Sequence, residues 1–371
     1  MVNRIRLKEE FCRLVSIDSV SYRERAMADE LTGLLRELGF EVEEDKAGKL
    51  CGGNCGNLYA SLEGELEGDP ILLSAHLDTV EPGIHKKAVV QEDGTINSDG
   101  STVLGADDLS GIAAILEAVR TVKERQLPHR SIELLFPIAE EVYILGSSLF
   151  DYSRIKAKEA YVLDLDGTVG TAAIQAPTLV SFTAKIIGKA SHAGFAPEQG
   201  INAIAIAAEA ISDVKQGRID PYTTVNIGQI EGGIARNIVS EQCILKGEVR
   251  SLKHETSVAE AEKVEKRIRE AALKYGAVCE FETSFGCYAY EVNPDHPVIK
   301  RFERACIALE LPVRLIPTFG GSDNNNYVRN GITGIVLACG MNKVHSCQEY
   351  TSVDELARCS EIVTRLIIDR N

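Results

Sequence analysis

Residues 71–78 read ILLSAHLD, an apolar run that closes on a histidine and an aspartate. Three further runs follow the same plan: SIELLFPIAEE at 131–141, EAYVLDLD at 159–166 and GIVLACG at 334–340. A short, continuous apolar run bounded by polar residues predicts a strand buried on both faces, as in a parallel sheet covered by helices. Between the first two runs lies LSGIAAILEAVRTVK, residues 109–123, whose apolar positions recur at three and four without a proline. That spacing predicts a helix packed on the sheet. The alternation gives an α/β class with a helix-flanked, mostly parallel sheet, and ligand sites in such sheets lie beyond the carboxyl ends of the strands.

From about Leu179 the pattern becomes strand (LVSFTAKII), helix (NAIAIAAEAISDV), strand (TTVNIGQI), strand (CILKGEVRSL), helix (SVAEAEKVEKRIREAALKYG) and strand (VCEFETSF). This order is a ferredoxin-like βαββαβ unit. Helical periodicity resumes at 298–309 and again at 353–368. The expected organisation is a discontinuous α/β domain, residues 1–177 and 293–371, carrying an inserted domain at 178–292. A chain of 371 residues exceeds what one core comfortably fills, which agrees with two domains.

Forty basic against fifty-five acidic side chains leave a formal charge of -15, which argues against a general affinity for nucleic acid or anionic membrane. The first sixteen residues lack the apolar core of a signal peptide, and no run reaches the ~18 uncharged apolar residues of a membrane span. A cytoplasmic protein is expected. Its ten cysteines are irregularly spread, so free thiols are expected, and Cys51 and Cys55 lack the second pair of a zinc knuckle. The sequence has no dinucleotide-binding glycine fingerprint, phosphate loop, zincin histidine pair or serine nucleophile elbow.

The chemistry-bearing residues stand where the apolar runs end. His76 and Asp78 close the first; on a strand they share a face, suiting a histidine ligand oriented by a carboxylate. Asp107 and Asp108 precede the helix at 109–123, where an acidic pair serves as a cap or as a ligand between cations. Glu140 and Glu141 close the second run, and on extended backbone they would point apart, one toward metal and one toward water as general base. Asp164 and Asp166 close the third run, and His345 follows the fourth. Mixed imidazole and carboxylate ligands suit zinc, with cobalt or manganese as substitutes. Two zinc ions on three carboxylates would carry a charge near +1, which a bridging hydroxide would neutralise, and hydrolysis is the reaction that follows.

In this order, His76-x-Asp78-Thr79-Val80, residues 105–108 (GADD), Ala139-Glu140-Glu141, residues 161–164 (YVLD) and His345 resemble the two-zinc metallopeptidases that include peptidase T, glutamate carboxypeptidase, aminoacylase and the cytosolic dipeptidases. The resemblance spans nearly the whole chain. Residues 164–167 (DLDG) and 320–323 (GGSD) are most similar to the peptidase T-like, tripeptide aminopeptidase-like members. It implies His76 and Asp164 on one zinc, Glu141 and His345 on the other, and Asp107 bridging both. It further implies Asp78 orienting His76, Glu140 carrying the proton, and a cis peptide between Asp107 and Asp108.

The inserted domain becomes a lid and homodimer surface by the same resemblance, with His192, Asn237 and Arg250 near a short peptide substrate. Peptidase T has a lysine at the position of Leu109 and an arginine at that of Phe319, so the preferred peptide is expected to differ. Deacylation of N-acyl amino acids or carboxypeptidase action uses the same site chemistry. A non-catalytic metal-binding protein is the reading from another class, and the unbroken set of candidate ligands and base weighs against it.

Overall fold

The four apolar runs become adjacent strands at the centre of one sheet in the computed structural model, which describes residues 2–370. The order is Glu41–Glu44, Leu58–Leu62, Ile132–Phe136, Ile71–Ser74, Glu159–Leu165, Thr333–Ala338, Thr171–Ala176 and Tyr290–Glu291, with Arg314–Pro317 paired to Thr171–Ala176. The four central strands are parallel to one another. Every residue of Ile71–Ser74 and Ile132–Phe136 is buried, which accounts for runs that do not alternate.

Helix Ala106–Glu124 is buried without interruption from Ala106 to Val119 and packs on Val353–Ile368, Arg4–Val15 and strand Glu159–Leu165. Gly111 allows that approach. A Cβ there would stand 2.8 Å from the Leu163 carbonyl oxygen and 2.6 Å from Asp108 Oδ1, closer than packed atoms tolerate. Regular helical dihedrals begin only after Asp107 and Asp108, so the acidic pair sits in the turn that enters the helix.

The strands stop short of the residues that end each run. The first ends at Ser74 and the second at Phe136, so His76, Asp78, Glu140 and Glu141 belong to the loops that follow. The expectation of side chains sharing or opposing strand faces is corrected accordingly. Ala139 turns the chain with φ of 50°, so Glu140 and Glu141 do not lie on extended backbone.

A small sheet not anticipated from the sequence joins Tyr350–Ser352, Thr95–Ser98 and Ala88–Val90. Its strands are too short to leave a periodic signal.

By internal contacts the chain divides into two units. The second comprises Ala176–Tyr290 together with Phe319–Gly321. Its antiparallel sheet runs Gly217–Asp220, Thr223–Gly232, Gln242–Ser251, Thr178–Ile187, Val278–Cys287, the ferredoxin-like order plus one short edge strand. Helices Ala203–Asp213 and His254–Lys274 bury Ile206, Ala207, Val264 and Ile268 against Phe182, Ala184, Leu245 and Val249 of that sheet. All ten cysteines are free thiols, and no helix among the described residues is long and apolar enough to cross a membrane.

Candidate metal centre

The carboxyl ends of the central strands bring together His76, Glu140, Glu141 and His345 from the loops that follow them, Asp164 from within strand Glu159–Leu165, and Asp107 from the turn that enters helix Ala106–Glu124. Asp107 divides its carboxylate between the two imidazoles, with Oδ1 3.0 Å from His76 Nε2 and Oδ2 3.3 Å from His345 Nε2. His345 Nε2 also lies 3.0 Å from Glu141 Oε2, and His76 Nε2 lies 3.9 Å from Asp164 Oδ1. Asp164 therefore reaches the cluster, whereas Asp166, past the end of its strand, is exposed.

Potential ligand atoms of His76, Asp107 and Glu141 lie within 4.8 Å of one another, as do those of His76, Glu140 and Asp164. These two triads cannot both be separate cation sites, because each would need the same His76 Nε2. Nδ1 is occupied by the Asp78 carbonyl oxygen at 2.9 Å. Giving His345 to the set of Asp107 and Glu141 resolves the conflict, since each prospective cation then has its own imidazole.

Buried acceptors hold the ligand loops. Asp78 Oδ1 accepts from Glu140 N at 2.9 Å, and its Oδ2 accepts from Glu141 N at 3.2 Å and from Ser21 Oγ at 2.6 Å. Its carboxylate thus orders the Glu140–Glu141 backbone more directly than the His76 ring, from which Oδ1 stands 3.4 Å. Asp108 accepts from Gly111 N at 3.3 Å and from His76 N at 3.1 Å, so it caps the helix while Asp107 faces the histidines. The capping and ligand readings of the acidic pair are therefore divided between its two members. The peptide between them is cis.

The electrostatics show several carboxyl groups and two imidazoles competing for one buried site. Burial, reinforced by Asp164, pushes the Glu140 carboxyl well above its usual range. Burial and Asp107 do the same to Asp164. Asp323, at the start of helix Asp323–Arg329, is raised to about 7 by burial. Asp107 moves the other way because bonds to His345 and His76 outweigh its burial. The bonds to Asp107 and Glu141 raise His345 to about 10. Several carboxylates sharing a dry site resist joint ionisation unless positive charge is added, and divalent cations add it.

Sequence reasoning missed two buried acids around the cluster, Glu24 and Glu349, and quoted a third, Asp323, within the motif at 320–323 without giving it a place in the site. Glu24 Oε1 accepts from Ala139 N at 3.1 Å, and Glu349 accepts from Gly105 N at 2.7 Å and Asp107 N at 2.9 Å. The only available signal was an acidic residue close to each motif, which is too common to select. In the other unit, His192 and Asn237 are neighbours through the Ala193 N to Asn237 carbonyl bond of 3.0 Å. His192 Nδ1 accepts from the amides of Gly194 and Phe195, at 3.1 and 3.2 Å. Arg250 is held by both oxygens of Glu248 and by the Phe319 carbonyl at 2.9 Å.

Family models for a peptidase dimerisation domain and for peptidase family M28 match residues 175–276 and 57–210. The crystal structure of aminopeptidase PepT from Bacillus cereus is 38% identical, with a TM-score of 0.92 over 99% of this chain and 98% of that one. A tripeptidase structure from Staphylococcus aureus is 34% identical, with a TM-score of 0.96 and the same coverage. The uncharacterized protein YqjE of Bacillus subtilis is 38% identical over 99% of both chains. Peptidase T of Serratia proteamaculans is 28% identical over 73% of this chain and 66% of its own.

Proposed function

The chain belongs to the peptidase T-like branch of the M20 peptidases, hydrolases that act on peptide bonds, and from that premise we propose a two-zinc aminopeptidase that releases the first residue of short peptides. The observation that carries the metal reading is the Asp107 carboxylate divided between His76 and His345. His76 and Asp164 would hold one cation and Glu141 and His345 the other, with Asp107 common to both. Cobalt or manganese would suit the same mixture of nitrogen and oxygen donors. When bound, the cations would polarise the scissile carbonyl and bring the pKa of a water to ~7.

The remaining chemistry belongs to the side chains. Glu140 takes a proton from the attacking water and returns it to the leaving amine, so the step consumes no net acid or base. Asp78 fixes the Glu140 backbone through the bond of 2.9 Å, which keeps the carboxylate where the proton is released. His192 donates to the carbonyl oxygen as charge develops. Two backbone amides already donate to its Nδ1, so its ring proton resides on Nε2. Asn237 and Arg250 complete the substrate contacts, and the inserted unit serves as lid and homodimer surface. The dimerisation-domain match and the exposed Phe195, Ile230 and Ile234 support that last assignment.

Fungal relatives described as probable carboxypeptidases, 30% identical over 71% of this chain in one case, favour comparison with cleavage at the other end of a substrate. An apolar tripeptide offered free and N-acetylated, each with zinc and with chelator, separates the readings. Chelator-sensitive release of the first residue from the free form alone is expected. Cleavage of the acetylated form alone would transfer the assignment to a deacylase or carboxypeptidase.

A further inference from the structure

We infer that Glu349 is a positioning residue that fixes the bridging Asp107 against the loop carrying His345, an inference that rests on the two-cation reading above. Its side chain is 1% exposed and uses both oxygens on one turn of backbone: Oε2 accepts from Gly105 N at 2.7 Å and Oε1 from Asp107 N at 2.9 Å. These amides open helix Ala106–Glu124, where the chain has no partners of its own to offer them.

The other end of Glu349 is tied as firmly. Its backbone N–H donates to the Ser346 carbonyl at 3.0 Å, closing the turn that follows His345. Its own carbonyl accepts from Ser98 N at 3.3 Å, and Tyr350–Ser352 continues as a strand beside Thr95–Ser98. One residue thus joins the His345 loop to the Asp107 turn, and the two ligands it joins stand 3.3 Å apart at Nε2 and Oδ2. The turn is also confined from its far side. Gly105 has φ of 76°, and a Cβ there would stand 3.0 Å from Thr79 Cγ2 and 3.1 Å from Lys86 Cε.

A carboxylate is required for this clamp. Two donors meet two different oxygens, whereas glutamine offers one oxygen and would aim its NH2 at the second N–H. A buried donor left facing another donor forces the turn to move or to remain unsatisfied.

An ordinary helix cap would also stabilise the fold, so the test reads the metal. Zinc affinity is measured calorimetrically in wild type, E349Q and E133Q, together with kcat and KM on a free tripeptide and the visible spectrum of the cobalt form. Glu133 is a suitable control because it is a buried carboxylate that also uses both oxygens, Oε1 accepting from Tyr59 Oη at 2.7 Å and Lys156 N at 3.1 Å and Oε2 from Ala157 N at 2.8 Å, without a bond to the cluster. In E349Q the weaker of two zinc equivalents is expected to lose about 10–100-fold in affinity. Its kcat should fall while KM stays within about threefold, and its cobalt spectrum should change. E133Q should lose thermal stability while keeping wild-type affinity and spectrum.

Wild-type zinc affinity and kcat in E349Q, whatever its melting temperature, would reduce Glu349 to a cap and overturn the inference. Fewer than two equivalents in wild type would instead remove the premise. If E349Q does not fold, E349D keeps both oxygens on a shorter stem. Weakened affinity there supports the clamp, and undiminished affinity with unchanged kcat overturns it.

Discussion

Glu24 lies outside the proposed ligand set and holds the backbone just before Glu140. Its side chain is fully buried, and both of its backbone bonds, from Tyr22 N at 2.9 Å and Ala139 N at 3.1 Å, land on Oε1. Burial and the nearby Asp78 raise its pKa from 4.5 to about 7. Glutamine can place its one carbonyl oxygen at the Oε1 position and keep both bonds, so E24Q removes the titration alone. A raised folded-state pKa favours the native state fully below 4.5, and that advantage disappears as pH climbs through about 7. In chelated protein, wild-type stability relative to E24Q should fall by on the order of 1–3 kcal/mol between pH 4 and pH 8. Urea unfolding of both proteins at stepped pH measures it, and a difference that does not change with pH contradicts the assignment. Such residues are not legible in the sequence: Glu24 acts by folding back under Ala139, 115 positions away. His76, Asp107 and Glu141 are legible because each interrupts or follows an apolar run where a strand would have to end.

At the scale of elements, two glycines in helices should respond oppositely to the same substitution. Gly33 lies in helix Arg25–Glu37, and a Cβ added to it would have nothing within 4 Å, so Gly33→Ala should stabilise by about 0.5–1 kcal/mol through helix propensity. Gly111 gains the same propensity from alanine, but its Cβ would meet backbone at 2.8 Å and the Asp108 carboxylate at 2.6 Å. The clash, worth roughly 1–3 kcal/mol, should win and make Gly111→Ala destabilising. Denaturant midpoints of the two variants decide, and stabilisation by Gly111→Ala would show that helix and strand are not in the contact described. The same contact explains why the helix and the four central strands are readable from the sequence: burial on all sides writes itself as continuous apolar residues. Short, partly exposed pieces write nothing comparable. Gly217–Asp220 and the small sheet at Tyr350–Ser352 have strands of three or four residues and leave no such mark. The loop after Phe136 reads as extended in the sequence because positive φ at Ala139, Tyr143 and Ile144 follows from tertiary constraint, none of these being glycine.

The whole molecule carries a formal charge of -15, and part of that surplus is concentrated in one cluster of largely buried carboxylates. Such a cluster is costly in the bare chain and would become favourable with divalent cations in it, so on the proposed reading folding, metal binding and peptide hydrolysis are linked through the same residues. The most direct test is a zinc titration of chelated wild type and E140Q, following equivalents bound, melting temperature and tripeptide turnover together. Two equivalents in both proteins are predicted, with similar increases in melting temperature, while turnover in E140Q falls by roughly 10²–10⁴-fold because only the proton carrier is lost. Loss of one zinc equivalent in E140Q would make Glu140 a ligand, and turnover near the wild-type rate would deny it any part in moving the proton; either result contradicts the account.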